Sequence, residues 1–600
     1  MSEHSTSRRF NLPRRFEISG TLTPRILFIC SLTIFLGFLA GWVARALVAL
    51  IGLVTNLAFY GRVSTAFSSP AENHLGAWVI VLPAAGGLIV GVMARWGSQA
   101  IRGHGIPEAM EQVLLNQSRI PARVSILKPI SAAIAIGTGG PFGADGPIIA
   151  TGGALGSLLG QVVKITPSER KVLLAAGAAA GMSAIFGTPV AAVLLAIELL
   201  LFEYRARSII PVSLAAATAA AVRFATVGAS PVFPAPELAQ PTGESMAFYI
   251  VLGAVMGLIA VGVSRAVYDV EDGFEKLPIH WMWWPALGGL VVGLVGYFAP
   301  RTLGVGYDVI DEILSGSLPV KVLALLCAMK FVSWSISLGS GTSGGTLAPL
   351  FIIGGALGEL GGAISRNILP GAGIDPRMAA LVGMAALFAG ASRALLASVV
   401  FAFEATHQSM GLLPLLAGCA TSYLIASLLT KHSIMTEKIA RRGVIVPADY
   451  TADILDRLSV RDVMTRDVVS LQAQQTLREV REWLESGAAG SHHRCFPVLD
   501  ESGELVSMAT RRALLAAELD HGARLGELKL SAPVVVFDSS SLRDAAKLMA
   551  VERLGHFPVV AHDWPKRLVG MLASSDILGA HRQQHAEDQT SPDLRATAAS

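Results

Sequence analysis

Apolar residues form long runs along the first two thirds of the chain, from about Pro24 to Thr430. Several runs reach the roughly 20 residues that a membrane-spanning helix requires, whereas others are short or are interrupted by glycine and proline. The runs are residues 26–54, 76–94, 130–163, 172–202, 209–226, 247–266, 282–299, 320–338, 347–364, 378–404 and 411–430. This pattern predicts an all-α, polytopic membrane protein over residues 25–445.

Two of the interruptions resemble each other. Residues 138–141 read Thr-Gly-Gly-Pro, and residues 340–345 read Ser-Gly-Thr-Ser-Gly-Gly about 200 residues later. Non-helical backbone at membrane depth is tolerated only where it is buried in protein or lines a cavity. Broken helices in corresponding positions are typical of a two-repeat transporter or channel. We therefore place two repeats at about 25–226 and 247–440 and expect a site where the helices break.

The pattern changes near residue 446, where short apolar strands begin to alternate with amphipathic helices. Two such units follow each other, and each contains a Phe-Pro-Val strand, at 496–498 and 557–559. Alternation of this kind predicts a pair of β-α-β units in water. We assign 446–582 to this cytosolic α/β pair and 583–600 to a disordered tail.

Composition agrees with the hydropathy pattern. Hydrophobic residues make up 52% of the 600 residues and charged residues 15%, below the roughly 25% of a soluble domain. A single soluble core and a disordered chain are both excluded. The net charge of +3 is too small for a nucleic-acid partner. The four cysteines form no CxxC pair and no cluster with histidine, so no metal site is predicted.

The first 24 residues carry four arginines and precede the first apolar run without a cleavable small-residue site. Basic flanks favour the cytoplasmic side of a membrane. We therefore predict an integral membrane protein, of the inner membrane if the cell is bacterial, with membrane lipid as a partner and both termini in the cytoplasm.

Three turns share one design, in which glycines precede a proline that begins a helix: residues 103–107, 143–147 and 345–349. A helix N-terminus offers unpaired N–H groups and a partial positive charge to an anion. Together the turns predict an anion cage that is built from backbone amides. Asp145 would place its own carboxylate at the same positive end, as a competitor and gate, or it is an ordinary N-cap residue.

Glu198 lies inside an apolar run, where an ionisable side chain is a functional candidate. The alternative is a structural acid that forms hydrogen bonds with a neighbouring loop. Glu203 lies near two arginines and is expected at the interface.

These motifs resemble the CLC family of chloride channels and proton-coupled chloride exchangers over residues 25–445, and the C-terminal pair resembles the CBS tandem of many members. The family signatures Gly-Ser-Gly-Ile-Pro, Gly-Arg-Glu-Gly-Pro and Gly-x-Phe-x-Pro match the three turns, each in altered form. The alterations are His104 for serine, Ala144 for arginine, Asp145 for the gating glutamate and Leu347 for phenylalanine.

The resemblance implies two inverted repeats with broken helices, a homodimer with one anion path in each subunit, and chloride as the permeant ion. It implies that Asp145 is the gate. The implied anion-binding positions are His104, Gly105, Ile106, Pro107, Gly146, Leu347, Ala348 and Met435. Met435 falls where the family places an anion-coordinating tyrosine, and Tyr423 is the nearest phenol along the chain. His104 could donate through a ring N–H, or it is a structural imidazole bonded to a loop.

Proton coupling in the family depends on an inner glutamate that Leu199 replaces, one position after the shared acid Glu198. Leucine carries no proton, although Glu203 lies one helical turn away on the same face. The loss of this group and of the tyrosine favours a passive, gated channel of the voltage-gated chloride channel class. A proton-coupled exchanger and an organic-anion carrier are the alternatives.

In the CBS pair, Thr510 and Asp576 each retain half of a family nucleotide site. One adenine nucleotide across the pair, or a purely structural or dimerising role, is expected. The chain has no HExxH motif and few carboxylates for a cation pore, which argues against a membrane zinc protease and a magnesium channel. Nothing supports an enzyme, and no cofactor is certain.

Overall fold

The chain is described here from a computed structural model. It covers residues 24–163, 165–443, 455, 458–516, 520, 522–528, 530, 532–561, 564 and 567–589. The residues fall into two compact units that meet in sequence between Tyr450 and Thr451. The predicted N-terminal segment 1–24 lies outside the described residues except for Pro24.

The first unit is helical throughout. Its helices are α1 (Pro24–Tyr60), α2 (Val81–Trp96), α3 (Ile106–Leu115), α4 (Ala122–Gly137), α5 (Asp145–Val162), α6 (Pro167–Phe186), α7 (Pro189–Ala196), α8 (Ala206–Val227), α9 (Gly243–Glu275), α10 (Trp284–Phe298), α11 (Tyr307–Ser315), α12 (Val320–Gly339), α13 (Leu347–Ile368), α14 (Pro376–Ser392), α15 (Leu395–Thr406), α16 (Leu412–Leu429) and α17 (Glu437–Arg441). Helix α7 continues as a π-helical turn, Ile197–Leu201.

Eight helical segments among the described residues are long and apolar enough to cross a membrane. They contain α1, α2, α8, α9, α10, α12, α13 and α16. Many of their large apolar side chains are exposed to the surroundings, as lipid contact requires. The prediction of an integral, polytopic α-helical membrane body is confirmed.

Small residues allow the helices around the breaks to pack closely. A Cβ on Gly152 of α5 would lie 2.1 Å from the carbonyl oxygen of Gly177 in α6, and one on Gly177 would lie 2.0 Å from that of Gly152. The same reciprocal contact joins α13 and α14. A Cβ on Gly354 would lie 2.5 Å from the carbonyl oxygen of Gly383, and one on Gly383 would lie 2.3 Å from that of Gly354. Close backbone approach through glycine is typical of membrane helix pairs. The α5–α6 and α13–α14 pairs are therefore equivalent parts of two repeats.

The repeats also exchange equivalent hydrogen bonds. Glu198, after α7, accepts bonds of 2.9 and 3.1 Å from the amides of the second and third residues of α15. Glu404, near the end of α15, accepts bonds of 3.1 and 2.8 Å from the second and third residues of α7. A contact that is returned by the equivalent residue is what a twofold axis produces. This arrangement agrees with two inverted repeats.

The second unit contains two three-stranded sheets. Its elements are α18 (Val460–Val463), β1 (Leu471–Gln472), α19 (Leu477–Glu485), β2 (Cys495–Leu499), β3 (Leu505–Thr510), α20 (Arg511–Leu514), β4 (Val536–Phe537), α21 (Leu542–Glu552), β5 (His556–Val560), β6 (Leu568–Ala573) and α22 (Ser574–Gln589). In each sheet the first strand is parallel to the second, and the third is antiparallel to it. The predicted α/β pair is confirmed.

The end of this unit corrects one prediction. Helix α22 runs to Gln589 and so continues into the segment 583–600, which was expected to be a disordered tail. The absence of apolar periodicity after residue 582 does not prevent the helix, because α22 is already started by the residues before it. Residues 590–600 lie outside the described residues.

Candidate functional site

The three proline-led turns meet inside the helical unit, where their residues are buried. The amide of Gly345 donates to the carbonyl of Gly143 over 2.9 Å, and the amide of Gly143 donates back over 3.3 Å. The turn before α3 joins the same group through a bridge between Gly103 and Ser343. Turns that are far apart in sequence thus bring the N-termini of α3, α5 and α13 together.

Glycine is required where these backbones touch. Gly105 has φ of 95°, and a Cβ there would lie 2.3 Å from the carbonyl oxygen of Gly146. A Cβ on Gly146 would lie 1.9 Å from the carbonyl oxygen of His104 and 2.9 Å from the Cα of Gly345. Real side chains never approach this closely, so the predicted contribution of Gly105 and Gly146 is close backbone approach.

Asp145 occupies the centre of this junction. It is the first residue of α5 and is fully buried. One carboxylate oxygen, Oδ2, accepts a hydrogen bond of 3.1 Å from the amide of Leu347, the first residue of α13. The other oxygen, Oδ1, is buried and has no hydrogen-bond partner among the described residues. The carboxylate therefore holds the N-terminus of a second helix, at the donors that the sequence assigns to an anion.

The turn before α3 is arranged differently from the prediction. The amide of Gly105 already donates to the Glu108 carboxylate over 2.7 Å, so this amide is not a vacant anion donor. Pro107 has no amide hydrogen, and Ile106 and Pro107 are buried. Glu108 in turn pairs with Lys438 of α17 over 3.1 Å. These residues shape the site, and the glutamate neutralises the N-terminus of α3.

His104 lies where the turn meets an open vestibule. The residue is only 6% exposed, and its Nδ1 is buried without a hydrogen-bond partner among the described residues. It lines a cavity of about 450 Å³ together with Arg102, Glu108, Tyr268 and Lys438. Because Nδ1 forms no hydrogen bond with a loop carbonyl of the described residues, this ring nitrogen is able to bind a ligand.

The sequence does not identify the phenol that lies at this vestibule. Tyr268 of α9 is 5% exposed, and its hydroxyl donates to the carbonyl of Ile434 over 2.8 Å, next to Met435. Met435 itself is fully buried in the apolar core. Tyr423, the nearest phenol in sequence, instead packs under the guanidinium of Arg393 at 5.6 Å. No motif in the sequence relates Tyr268 to Ile434, which lies 166 residues later in the chain.

The predicted acids near α7 have structural partners. Glu198 accepts hydrogen bonds from the amides of the second and third residues of α15. These bonds agree with the structural alternative given for this acid. Leu199 is buried with 3% exposure, and Leu347 and Ala348 are buried as well. Glu203 accepts a hydrogen bond of 2.6 Å from the hydroxyl of Ser208.

Two buried lysines bind backbone carbonyls just before α3 and α11. Lys128 of α4 donates to the carbonyls of Ile101 and Gly103 over 2.9 and 2.8 Å, just before α3. Lys330 of α12 donates to the carbonyls of Thr302 and Gly304 over 3.0 and 3.2 Å, just before α11. Both side chains are almost completely buried. In the sequence, each of them is marked only as a lysine in an apolar stretch.

In the C-terminal unit, both predicted nucleotide contacts cap helices. The Thr510 hydroxyl accepts the amide of Ala513 over 3.2 Å, and the Asp576 carboxylate accepts the amide of Ala573 over 2.8 Å. Binding of an adenine nucleotide by these residues stays a prediction.

The acid pair after α7 allows a direct test of its role. We expect Glu198→Ala to leave two amides of α15 without their acceptor, which lowers stability by about 1 to 2 kcal/mol, the usual value of a cap. Glu404→Ala removes the equivalent bonds in the other repeat and should have the same effect. The measurement is the thermal unfolding midpoint in detergent, beside chloride flux, with Glu203→Ala as the control. A normal midpoint with lost flux would contradict the structural role.

Broken helices whose N-termini meet inside a polytopic helical body are typical of transporters and channels. Residues 86–427 match the family described as voltage gated chloride channel, and residues 460–520 and 525–582 match the CBS domain. The chain belongs to the CLC family of anion-transport proteins and carries a tandem of CBS domains.

Named relatives include both kinds of transport. The chain is 28% identical to the H(+)/Cl(−) exchange transporter ClcA of Vibrio campbellii, over 71% of this chain and 92% of that protein. It is 29% identical to the chloride channel protein CLC-f of Arabidopsis thaliana, over 72% of this chain and 62% of that protein. The structure of a slow cyanobacterial Cl−/H+ antiporter superimposes with a TM-score of 0.63 at 23% identity, over 70% of this chain and 99% of that one.

Proposed function

We propose that this protein conducts chloride and other small inorganic anions passively, with Asp145 as the gate. The observation that carries the proposal is the position of the Asp145 carboxylate, which is fully buried and bonded to the Leu347 amide at the start of α13. Amides at a helix N-terminus bind anions through their N–H groups and the helix dipole. An anion that passes must displace the carboxylate from these donors.

Two substitutions support conduction without proton coupling. Leu199 is an apolar, buried side chain at the position where the family's exchangers place a proton-carrying glutamate. Met435 replaces the tyrosine of the inner constriction, and it cannot donate a hydrogen bond to an anion. The Tyr268 hydroxyl is directed to the Ile434 carbonyl instead. The permeating anion therefore meets fewer side-chain donors on the His104 side.

Orientation and assembly complete the proposal. The vestibule that holds His104 is lined by Lys438 and Arg442 of the segment that leads toward the CBS pair. Because basic flanks favour the cytoplasmic side, the proposal assigns this side and both termini to the cytoplasm. A homodimer is proposed through α7 and α15, where Val190 and Leu396 expose apolar side chains. Light scattering of the detergent-solubilised chain measures this state, and a monomer would refute it.

Proton-coupled exchange is the second candidate, because ClcA of Vibrio campbellii is named an exchange transporter. The test uses the purified full chain in liposomes with a chloride gradient, no pH gradient, and a potassium ionophore that removes the membrane potential. We expect chloride to leave without proton movement, and an external pH electrode together with a chloride electrode measures both ions. Proton movement driven by the chloride gradient alone, which would build up a pH difference, would establish exchange, and empty liposomes are the control.

A further inference from the structure

A second cavity of the helical unit lies where α9, the end of α16 and α17 meet. Its volume is about 270 Å³, and it is separate from the anion-binding positions and Asp145 in the residues that line it. Its fully charged side chains come from α9, from the connection between α16 and α17, and from α17 itself: Arg265, Asp269, Lys431, Glu437 and Arg441. Three cations and two carboxylates thus surround one space.

Two of these cations are available to a ligand. Arg441 is already paired, with Glu437 at 3.1 Å and with an aspartate of α9 at 2.6 Å. Arg265 and Lys431 are exposed, and neither forms an ion pair within the described part of the chain. Asp269 lies one turn after Arg265 on the same helix and is not paired with it there. The available cations therefore outnumber the available carboxylates, which favours an anion.

Both available cations stand at one boundary of the membrane-crossing helices. Helix α9 has no charged side chain between Glu244 and Arg265, a stretch of roughly 30 Å, which is the thickness of the hydrocarbon core. Helix α16 is uncharged throughout, and Lys431 follows its end by two residues. The cavity therefore lies at the depth of the phospholipid headgroups.

An exposed apolar face of α9 leads to the cavity. Val251, Val255 and Leu258 are large exposed side chains at spacings of four and three residues, so they lie on one face of the helix. Arg265 follows two turns later on the same face. Leu429, an exposed residue of α16, lines the cavity itself. A ligand with a charged head in the cavity can thus lay an apolar chain along α9.

We propose that this cavity binds the phosphate of an anionic membrane phospholipid, with Arg265 and Lys431 as its partners and the acyl chains along the apolar face of α9. Basic pockets between membrane helices bind anionic lipid headgroups, and each cation near the membrane surface strengthens the attraction. The bound lipid joins α9 to the connection that begins α17. The inference is independent of the proposed anion conduction, because neither cation is assigned to the anion path.

The test is native mass spectrometry of the purified full chain in an uncharged detergent, titrated with dioleoylphosphatidylglycerol. We expect the native sequence to retain this lipid in preference to dioleoylphosphatidylcholine, which has the same acyl chains and no net charge. Arg265→Gln and Lys431→Gln should each weaken the binding of phosphatidylglycerol about fivefold, the effect of one basic residue near a membrane surface. Arg265→Lys keeps the charge and should retain the lipid.

Two matched controls remove a positive charge elsewhere. Lys276 directly follows α9, and Arg366 lies in the last turn of α13; both are exposed, and neither lines the cavity. Lys276→Gln and Arg366→Gln should bind phosphatidylglycerol like the native sequence. All the substituted side chains are exposed, so the variants should fold, and the thermal unfolding midpoint measures this.

Three outcomes would overturn the lipid site. The first is unchanged affinity for phosphatidylglycerol in both Arg265→Gln and Lys431→Gln, or an equal loss in the two control variants. The second is equal retention of phosphatidylglycerol and phosphatidylcholine by the native sequence, since charge would then play no part. The third is displacement of the lipid by inorganic phosphate at the same concentration, because the cavity would then be a site for the free ion and the apolar face of α9 would contribute nothing.

Discussion

Asp145→Ala is expected to raise passive chloride flux roughly tenfold or more, because it removes the charged group that competes for the Leu347 amide. A charge-assisted hydrogen bond contributes about 1.5 to 3 kcal/mol, and each 1.4 kcal/mol corresponds to a factor of about ten in occupancy. The measurement is the initial rate of chloride efflux from liposomes that contain the purified variant. Size-exclusion chromatography establishes that the variant folds.

The dependence of this flux on pH gives a second readout. Protonation removes the negative charge of Asp145 and weakens its hold on the Leu347 amide. Flux through the native protein should therefore rise as the pH falls, and flux through Asp145→Ala should not change with pH. Asp145→Asn, which keeps the size of the side chain without its charge, should behave like the alanine variant. A native flux that equals the flux of both variants at every pH would contradict the gate.

The convergence of the three turns could be predicted because each carries its own local signal. Glycine followed by a helix-starting proline marks a break wherever it occurs in an apolar run, and non-helical backbone in a membrane must gather around a site. The sequence around residues 103–107, 143–147 and 345–349 was therefore sufficient to predict the junction. The CBS pair was equally visible, since its strands and helices alternate in the water-soluble pattern.

Partners that are distant in sequence could not be predicted. Tyr268 reaches the Ile434 carbonyl from α9, and Tyr307 faces Ala144 from α11, although neither has a motif around it. Glu404 mirrors Glu198 only after the repeats are folded against each other. A lone tyrosine or glutamate carries no information about which backbone groups will lie opposite it.

Local competition for donors also escaped prediction. The pattern at residues 103–107 indicates an exposed helix N-terminus, yet Glu108 bends back to bind the Gly105 amide. A glutamate at the third position of a helix is a frequent capping group, and here it occupies an amide that the sequence analysis assigned to an anion. Of the three helix N-termini, the one at α13 donates an amide to the Asp145 carboxylate, and it is there that the proposed function places the competition with an anion.

Gly105→Ala is expected to have the second large effect, because the three turns depend on direct backbone contact. A Cβ at Gly105 would lie 2.3 Å from the carbonyl oxygen of Gly146, and φ of 95° is unfavourable for any residue with a side chain. Overpacking costs about 1 to 3 kcal/mol, and left-handed strain adds about 1 to 2 kcal/mol. We expect a lower thermal midpoint and loss of most chloride flux.

The matched control for this substitution is Gly262→Ala. Gly262 lies inside α9, has no atom within 4 Å of a built Cβ, and has an ordinary helical backbone, so alanine there should be neutral or stabilise the helix by about 0.5 to 1 kcal/mol. Both variants add one methyl group, but only in Gly105→Ala does this group meet another backbone, at the Gly146 carbonyl oxygen. If both variants retain native midpoints and native chloride flux, the turns are not held by backbone contact and the close junction around Asp145 is wrong.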